Sequence, residues 1–179
     1  MIYLLDSNIF IQSKNLEYRF SFCNDFWKLL IDLHNVEKVF SIKSVKNEIQ
    51  QGYKNSDNLT LQDDIQFRDW INNLPNTFFV EDTDEQTEIE YKKLMNWSLC
   101  NPQFTVQAKT EFAGNADARL VAYAKAHNMN IVTHETYNAT IKKRIKIPNA
   151  AEALGIRDKC ITLYDFLEQN ACGTFQMKP

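Results

Sequence analysis

Glycine and proline are scarce in this sequence, four of each in 179 residues, which argues against long disordered tracts. Cysteine is equally sparse. Cys23, Cys100, Cys160 and Cys172 contain no Cys-x-x-Cys pair, so a structural zinc site has little support. No apolar run approaches the length of a membrane span. No basic segment precedes the apolar residues at the N-terminus, and Asp6 interrupts them early, which argues against a signal peptide. Reduced thiols and a cytoplasmic location are therefore expected. An excess of positive charge is also missing: 20 Lys and Arg against 23 Asp and Glu give a formal charge of −3. A strongly basic nucleic-acid coat over the whole chain is excluded, although a local basic patch is not. What is present is ordinary for a soluble globular protein, 44% hydrophobic and 24% charged residues, in a length that suits one domain over 1–179.

Strand candidates are Ile2 to Leu5, Lys38 to Ile42, Thr77 to Val80, Asn130 to Thr133 and Cys160 to Leu163. Helical spacing lies between them. Phe22, Phe26, Leu29, Leu30 and Leu33 form one apolar stripe. Val45 and Ile49 mark a short helix that Gly52 can terminate. Leu61, Ile65 and Trp70 suit another helix, Ile89, Leu94 and Trp97 a further one, and Leu120, Val121, Ala124 and Ala126 a strongly helical stretch. The segment Gly52 to Asn58 is polar and loop-like, as is Asn101-Pro102 ahead of Gly114. Strands alternating with helices predict βαβ units and an α/β fold with a mainly parallel sheet.

Four acids stand out by position. Asp6 closes the apolar run Ile2 to Leu5, where an α/β sheet gathers its ligands at the strand ends. Asp6 and Asn8 could equally form an Asx turn or cap a helix beginning near Ile9. Glu48 lies between Val45 and Ile49, on or beside the buried stripe of its helix, where an unpaired charge is strongly disfavoured. Asp117 follows Asn115, a plausible N-cap, and heads the row Asp117, Val121, Ala124. The helix dipole alone favours an acid there. Glu135 follows the strand Asn130 to Thr133, and a polar loop after a strand is also common. Taken together, two strands end in an acid and two helices present one inward. Packed carboxylates repel unless cations neutralise them, and oxygen-only ligands favour Mg²⁺ or Mn²⁺. Such sites activate water and stabilise charge on a phosphodiester. Lys142, Lys143, Arg144 and Lys146 form a basic run, which is either an RNA-backbone contact or a solvated helix face.

These motifs resemble a PIN domain. The matching stretches are Leu4-Leu5-Asp6-Ser7-Asn8, Val45-Lys46-Asn47-Glu48-Ile49, Asp117-Ala118-Arg119-Leu120-Val121-Ala122-Tyr123-Ala124 and Ile131-Val132-Thr133-His134-Glu135, in that order, over roughly Met1 to Leu167. The resemblance implies a three-layer α/β/α sandwich and metal-dependent cleavage of RNA to 3′-hydroxyl and 5′-phosphate products. It implies that Asp6, Glu48 and Asp117 hold Mg²⁺ or Mn²⁺ with Glu135 as a fourth or outer ligand. Asn8 and Thr133 would orient water or ligands. The best-known bacterial members are VapC-like toxins of toxin–antitoxin pairs, so an antitoxin protein and a homodimer are implied partners beside the RNA. Phe26-Trp27, Ser41 to Val45 and Lys146-Ile147-Pro148 look more like a stand-alone PIN-like subfamily. Glu135 departs from the family, which has Asp there.

Two other readings fit parts of the pattern. One is a non-catalytic PIN-like module that binds RNA or protein, which the net negative charge and Glu135 favour. The other is a phosphatase or phosphoacceptor domain. Asp6-Ser7-Asn8 departs from the Asp-x-Asp that a phosphatase of the haloacid-dehalogenase type needs, and Glu81-Asp82 is all that supports a phosphoacceptor.

Overall fold

A computed structural model describes residues 1–54 and 62–178. Five parallel strands form one sheet in the order β3-β2-β1-β4-β5. Along the chain these are β1 (Tyr3–Leu5), β2 (Val39–Ile42), β3 (Phe79–Val80), β4 (Asn130–Val132) and β5 (Cys160–Ile161). Helices α1 (Ser7–Asn15) and α2 (Asn24–Asn35) separate β1 from β2, and α3 (Lys43–Lys54) and α4 (Gln62–Asn73) lead to β3. Helices α5 (Glu85–Cys100), α6 (Val106–Gly114) and α7 (Ala116–Ala126) precede β4, α8 (Ile147–Ala153) precedes β5, and α9 (Leu163–Asn170) comes after it. The sheet sits between helical layers as an α/β/α sandwich, the architecture expected from the alternating pattern. Among the described residues no helix is long and apolar enough to cross a membrane.

The central strands read as continuous apolar runs because both faces are covered. Leu4, Leu5, Val39, Ile131 and Val132 are all fully buried. Register aligns the strand ends: Leu5 pairs with Val132, so the residues after β1 and β4 emerge side by side. One face of the sheet is sealed by an aromatic cluster. Trp27 stacks on Phe20 at 4.4 Å and meets Trp70 edge-on at 4.9 Å, and its indole N–H donates to the Tyr18 carbonyl at 2.7 Å. Helix α7 carries small buried residues, Ala116, Ala118, Ala122 and Ala124, which let it pack closely against α5 and α3.

Several local expectations change. Helix α3 runs past Gly52 to Lys54, because a glycine only weakens a helix interior and does not by itself stop it. Phe22 precedes α2 and is exposed, as is Ile89 on α5. The segment after Asn101-Pro102 contains α6, capped by Thr105, whose hydroxyl accepts from the Ala108 N–H. The basic run from Lys142 to Lys146 is an extended loop, not a helix face. The remainder of the expected Gly52 to Asn58 loop, and Leu61, fall on residues 55–61, outside those described.

Candidate functional site

The strand order reverses between β1 and β4, since β1 continues to β2 on one side and β4 to β5 on the other. Such a switch point opens a crevice at the carboxyl ends of the strands. Asp6 directly follows β1 at that end of the sheet and is buried there. Its N–H donates to the Val132 carbonyl at 3.2 Å, so the β1–β4 ladder carries Asp6 to the end of β4. Asp6 occupies the N-cap position of α1, as the turn-or-cap reading has it, and a backbone hydrogen bond from Asn8 is one of the influences that lower its pKa. The carboxyl has a further partner, because Asp6 Oδ2 also accepts from the Thr133 hydroxyl at 3.0 Å. Ser7 Oγ and Asn8 Nδ2 approach its two oxygens at 3.4 and 3.5 Å, at the outer limit of hydrogen bonding. Thr133 Oγ1 also accepts the Glu135 N–H at 3.1 Å. Its proton is thereby directed at Asp6, and one hydroxyl ties the two strand ends together.

Asp117 is placed by its cap. Asn115 Oδ1 accepts the Asp117 N–H at 3.2 Å, and Asn115 Nδ2 donates to Asp117 Oδ2 at 3.1 Å. The cap thus fixes both the start of α7 and the carboxylate, which is buried. Glu48 reaches in from α3. Its residue is half-buried, and Oε2 is fully enclosed with no hydrogen-bond partner.

The electrostatics follow from this crowding. Burial chiefly, then the charges of Glu135 and Glu48, push the Asp6 carboxyl up to about 6, against the stabilising Thr133 bond. Burial, then Asp6, Glu135 and Glu48, push Asp117 up to about 8, and Arg144 pulls it back in part. Glu48 is raised as well, mainly by burial, with Ser7 and Arg144 opposing. Three carboxyls that all resist ionisation form a field that favours a cation.

Part of that cation is supplied from within the chain. The Arg144 guanidinium lies 2.8 Å from Glu135 Oε1 and 3.8 Å from Asp117 Oδ2. Glu135 Oε2 accepts the Ile147 N–H at 2.7 Å where α8 begins. Both oxygens of Glu135 are therefore engaged, whereas Glu48 Oε2 is not. As they stand, no three His, Cys, Asp or Glu side chains among the described residues are arranged to hold a metal ion. The donor chemistry still fits a hard divalent cation at Asp6, Glu48 and Asp117, because the set is all oxygen and holds an orphaned buried acceptor. It fits less well at Glu135, whose oxygens would have to leave Arg144 or Ile147.

The structure therefore brings Asp6, Glu48, Asp117, Glu135 and Thr133 into one electrostatically connected group, with Asn8 at its edge. It divides the basic run. Lys142 and Lys143 are exposed, Arg144 turns to the acids, and Lys146 donates to the Thr136 carbonyl of its own loop at 3.3 Å. Sequence reasoning missed the bridging place of Arg144, and only its charge signalled it. It identified Asn115 as a cap but not as a partner of the Asp117 carboxylate. Glu81 and Asp82 come after the edge strand β3. Glu81 pairs with Lys43, and Asp82 accepts from the Ser44 hydroxyl. β2 separates β3 from β1, so this acidic pair leaves the strand beyond the switch point.

No curated protein and no solved structure matches the chain. One family model matches residues 3–174, nearly its whole length, and on that match the chain belongs to the DUF4411 family, a domain of unknown function.

Proposed function

We propose that this protein is an endoribonuclease dependent on Mg²⁺ or Mn²⁺. The observation that carries the reading is the trio Asp6, Glu48 and Asp117 at the sheet switch point. Burial raises all three carboxyls, and repulsion from neighbouring acids adds to the rise at Asp6 and Asp117. A protein keeps such destabilising acids where a cationic ligand or a reaction uses them. The ordered resemblance to PIN ribonucleases supports the same chemistry. Asp6, Glu48 and Asp117 would hold the cation. When bound, it would supply a Lewis acid that activates water and neutralises charge on the phosphodiester. The chain's own groups do the rest. Thr133 holds Asp6 and Asn115 holds Asp117 in fixed orientations. Arg144 holds Glu135 in place. The exposed Lys142 and Lys143 can meet phosphates of the substrate strand. The toxin of a toxin–antitoxin pair, acting in the cytoplasm as a homodimer and restrained by an antitoxin protein, is the cellular setting that fits this activity.

Alanine at Asp6 or at Asp117 should abolish Mn²⁺-dependent cleavage of a mixed-sequence RNA while circular dichroism stays unchanged. Retained cleavage in both variants would sink the assignment. A second reading, a PIN-like module that binds RNA or protein without cutting, is favoured by Arg144, which already compensates Glu135 and Asp117. Calorimetry separates the two, since absence of any heat at millimolar Mn²⁺ would select the module.

A further inference from the structure

Beside the acids lies a cleft of about 400 Å³ between α3, α5 and the α6–α7 junction. Its volume falls in the range of small-molecule sites. It is continuous with the carboxylates, because Glu48 lines it from α3 and Asn115, which holds Asp117, lines it from the other side. Its chemistry is restrictive. Asn47 and Gln51 contribute neutral amides beside that of Asn115, which is bonded to Asp117, while Ala113, Gly114 and Ala116 leave room for close approach and Tyr91 supplies a flat wall. Among the described residues of the lining, the one positive charge is Arg119, and it is spent. It donates to Glu88 at 2.8 Å and to the Asp82 carbonyl at 3.1 Å, and it lies over the Tyr91 ring at 4.5 Å.

Those features select a ligand class. An anionic group is disfavoured, since it would meet Glu48 with the lining guanidinium already committed. A lipid or aliphatic group finds no aliphatic wall among these residues beyond small alanines. A flat, neutral group with donors and acceptors along its edges matches, because carboxamides pair with base edges. The geometry points to this cleft as a subsite for one nucleobase, flanking the phosphodiester that the acids would address. Asn47 and Gln51 would read its edge, and the phosphate would remain outside, toward Asp6 and Asp117. The inference rests on the nuclease reading for its setting, but base binding can be measured apart from cleavage.

The test is a titration of the full chain by amide nuclear magnetic resonance, following the side-chain carboxamides of Asn47, Gln51 and Asn115. The probes are the four ribonucleosides, their 5′-monophosphates, and ribose 5-phosphate, which has no base. Nucleosides and nucleotides should shift these carboxamides and ribose 5-phosphate should not. The double variant N47A/Q51A changes two exposed helix positions, where alanine favours the helix. It should weaken nucleoside binding about tenfold, the loss expected for two edge hydrogen bonds. Absence of shifts at these groups, equal shifts with ribose 5-phosphate, or unchanged affinity in the double variant would each overturn the subsite. Cleavage assays on the same samples keep the two readings apart. Base binding without divalent-dependent cleavage removes the nuclease and leaves the subsite, while cleavage without base binding does the reverse.

Discussion

Replacing Asp117 by Asn should make this protein more stable at neutral and alkaline pH, although it alters a carboxyl that Asn115 and Arg144 both contact. The reasoning is linkage. The Asp117 carboxyl rises from 3.8 to about 8 on folding, so between those values the folded state holds a proton that the unfolded chain has released. Stability then falls as pH rises across that interval, the reverse of a salt-bridged aspartate. By about pH 7 the window spans roughly three pH units, each worth about 1.4 kcal/mol, so the burden reaches ~4 kcal/mol. The Arg144 contact at 3.8 Å is half-exposed and returns little of it. Asn is close in size and carries no charge, and its carbonyl can still accept from Asn115 Nδ2. A gain of about 2–4 kcal/mol, or roughly 5–15 °C in melting temperature, is expected at pH 8. Little change is expected near pH 4, where Asp117 is protonated in the folded state. Urea unfolding of both proteins from pH 4 to 9, without divalent cations, measures it. The wild-type stability should decline over this range and the variant decline less, with Asp6, raised to about 6, and Glu48, also raised, contributing to the slope that remains. A D117N variant equally or less stable than the wild type at pH 8 would refute the argument that burial, with repulsion from the neighbouring acids, makes the charged form of Asp117 costly in the folded state.

Arg144→Ala leaves Glu135 and Asp117 without their shared cation, but the arginine is half-exposed, so metal-free stability should drop by only about 1 kcal/mol at pH 8. The drop should shrink toward pH 5, as read by thermal melts. If Arg144 and a divalent cation compete for the same acids, the variant should also show a larger melting shift with millimolar Mn²⁺, and an equal shift would rule out the competition. Asn115→Ala should destabilise by ~1 kcal/mol through the lost cap and, under the nuclease proposal, should lower cleavage more than that loss of folding explains. Trp27→Ala removes the centre of the aromatic cluster and should cost about 3–5 kcal/mol in urea unfolding, with no direct effect on the acids.

Much of this architecture is written in short local signals. The run Tyr3 to Leu5 announces a strand buried on both faces, and Asn115 ahead of Asp117 announces a cap, because each depends on neighbours in the chain. Asp6 and Thr133 are legible as strand-end residues, but their hydrogen bond spans 127 positions and depends on which strands adjoin. Helix α8 escapes detection because it is short and its periodic stripe too brief, although Pro148 sits in its first turn. Arg144 is least legible. A guanidinium looks the same in a solvated run as in an acid cluster, and only the path of the loop before α8 turns it inward.

That loop has a consequence of its own. Glu135 accepts the backbone N–H of Ile147, 12 positions later, so it clasps the two ends of the segment that carries Lys142 and Lys143. Closing a loop of this length forfeits about 2 kcal/mol of chain entropy, and Glu135 shares that closure with the Asn138–Asn149 bonds and with the Thr105 N–H, which donates to the Lys142 carbonyl at 2.9 Å. Aspartate, one methylene shorter, would have to give up either Ile147 or Arg144. The extra carbon at position 135 is therefore what lets one side chain hold both the start of α8 and the guanidinium that faces the acids.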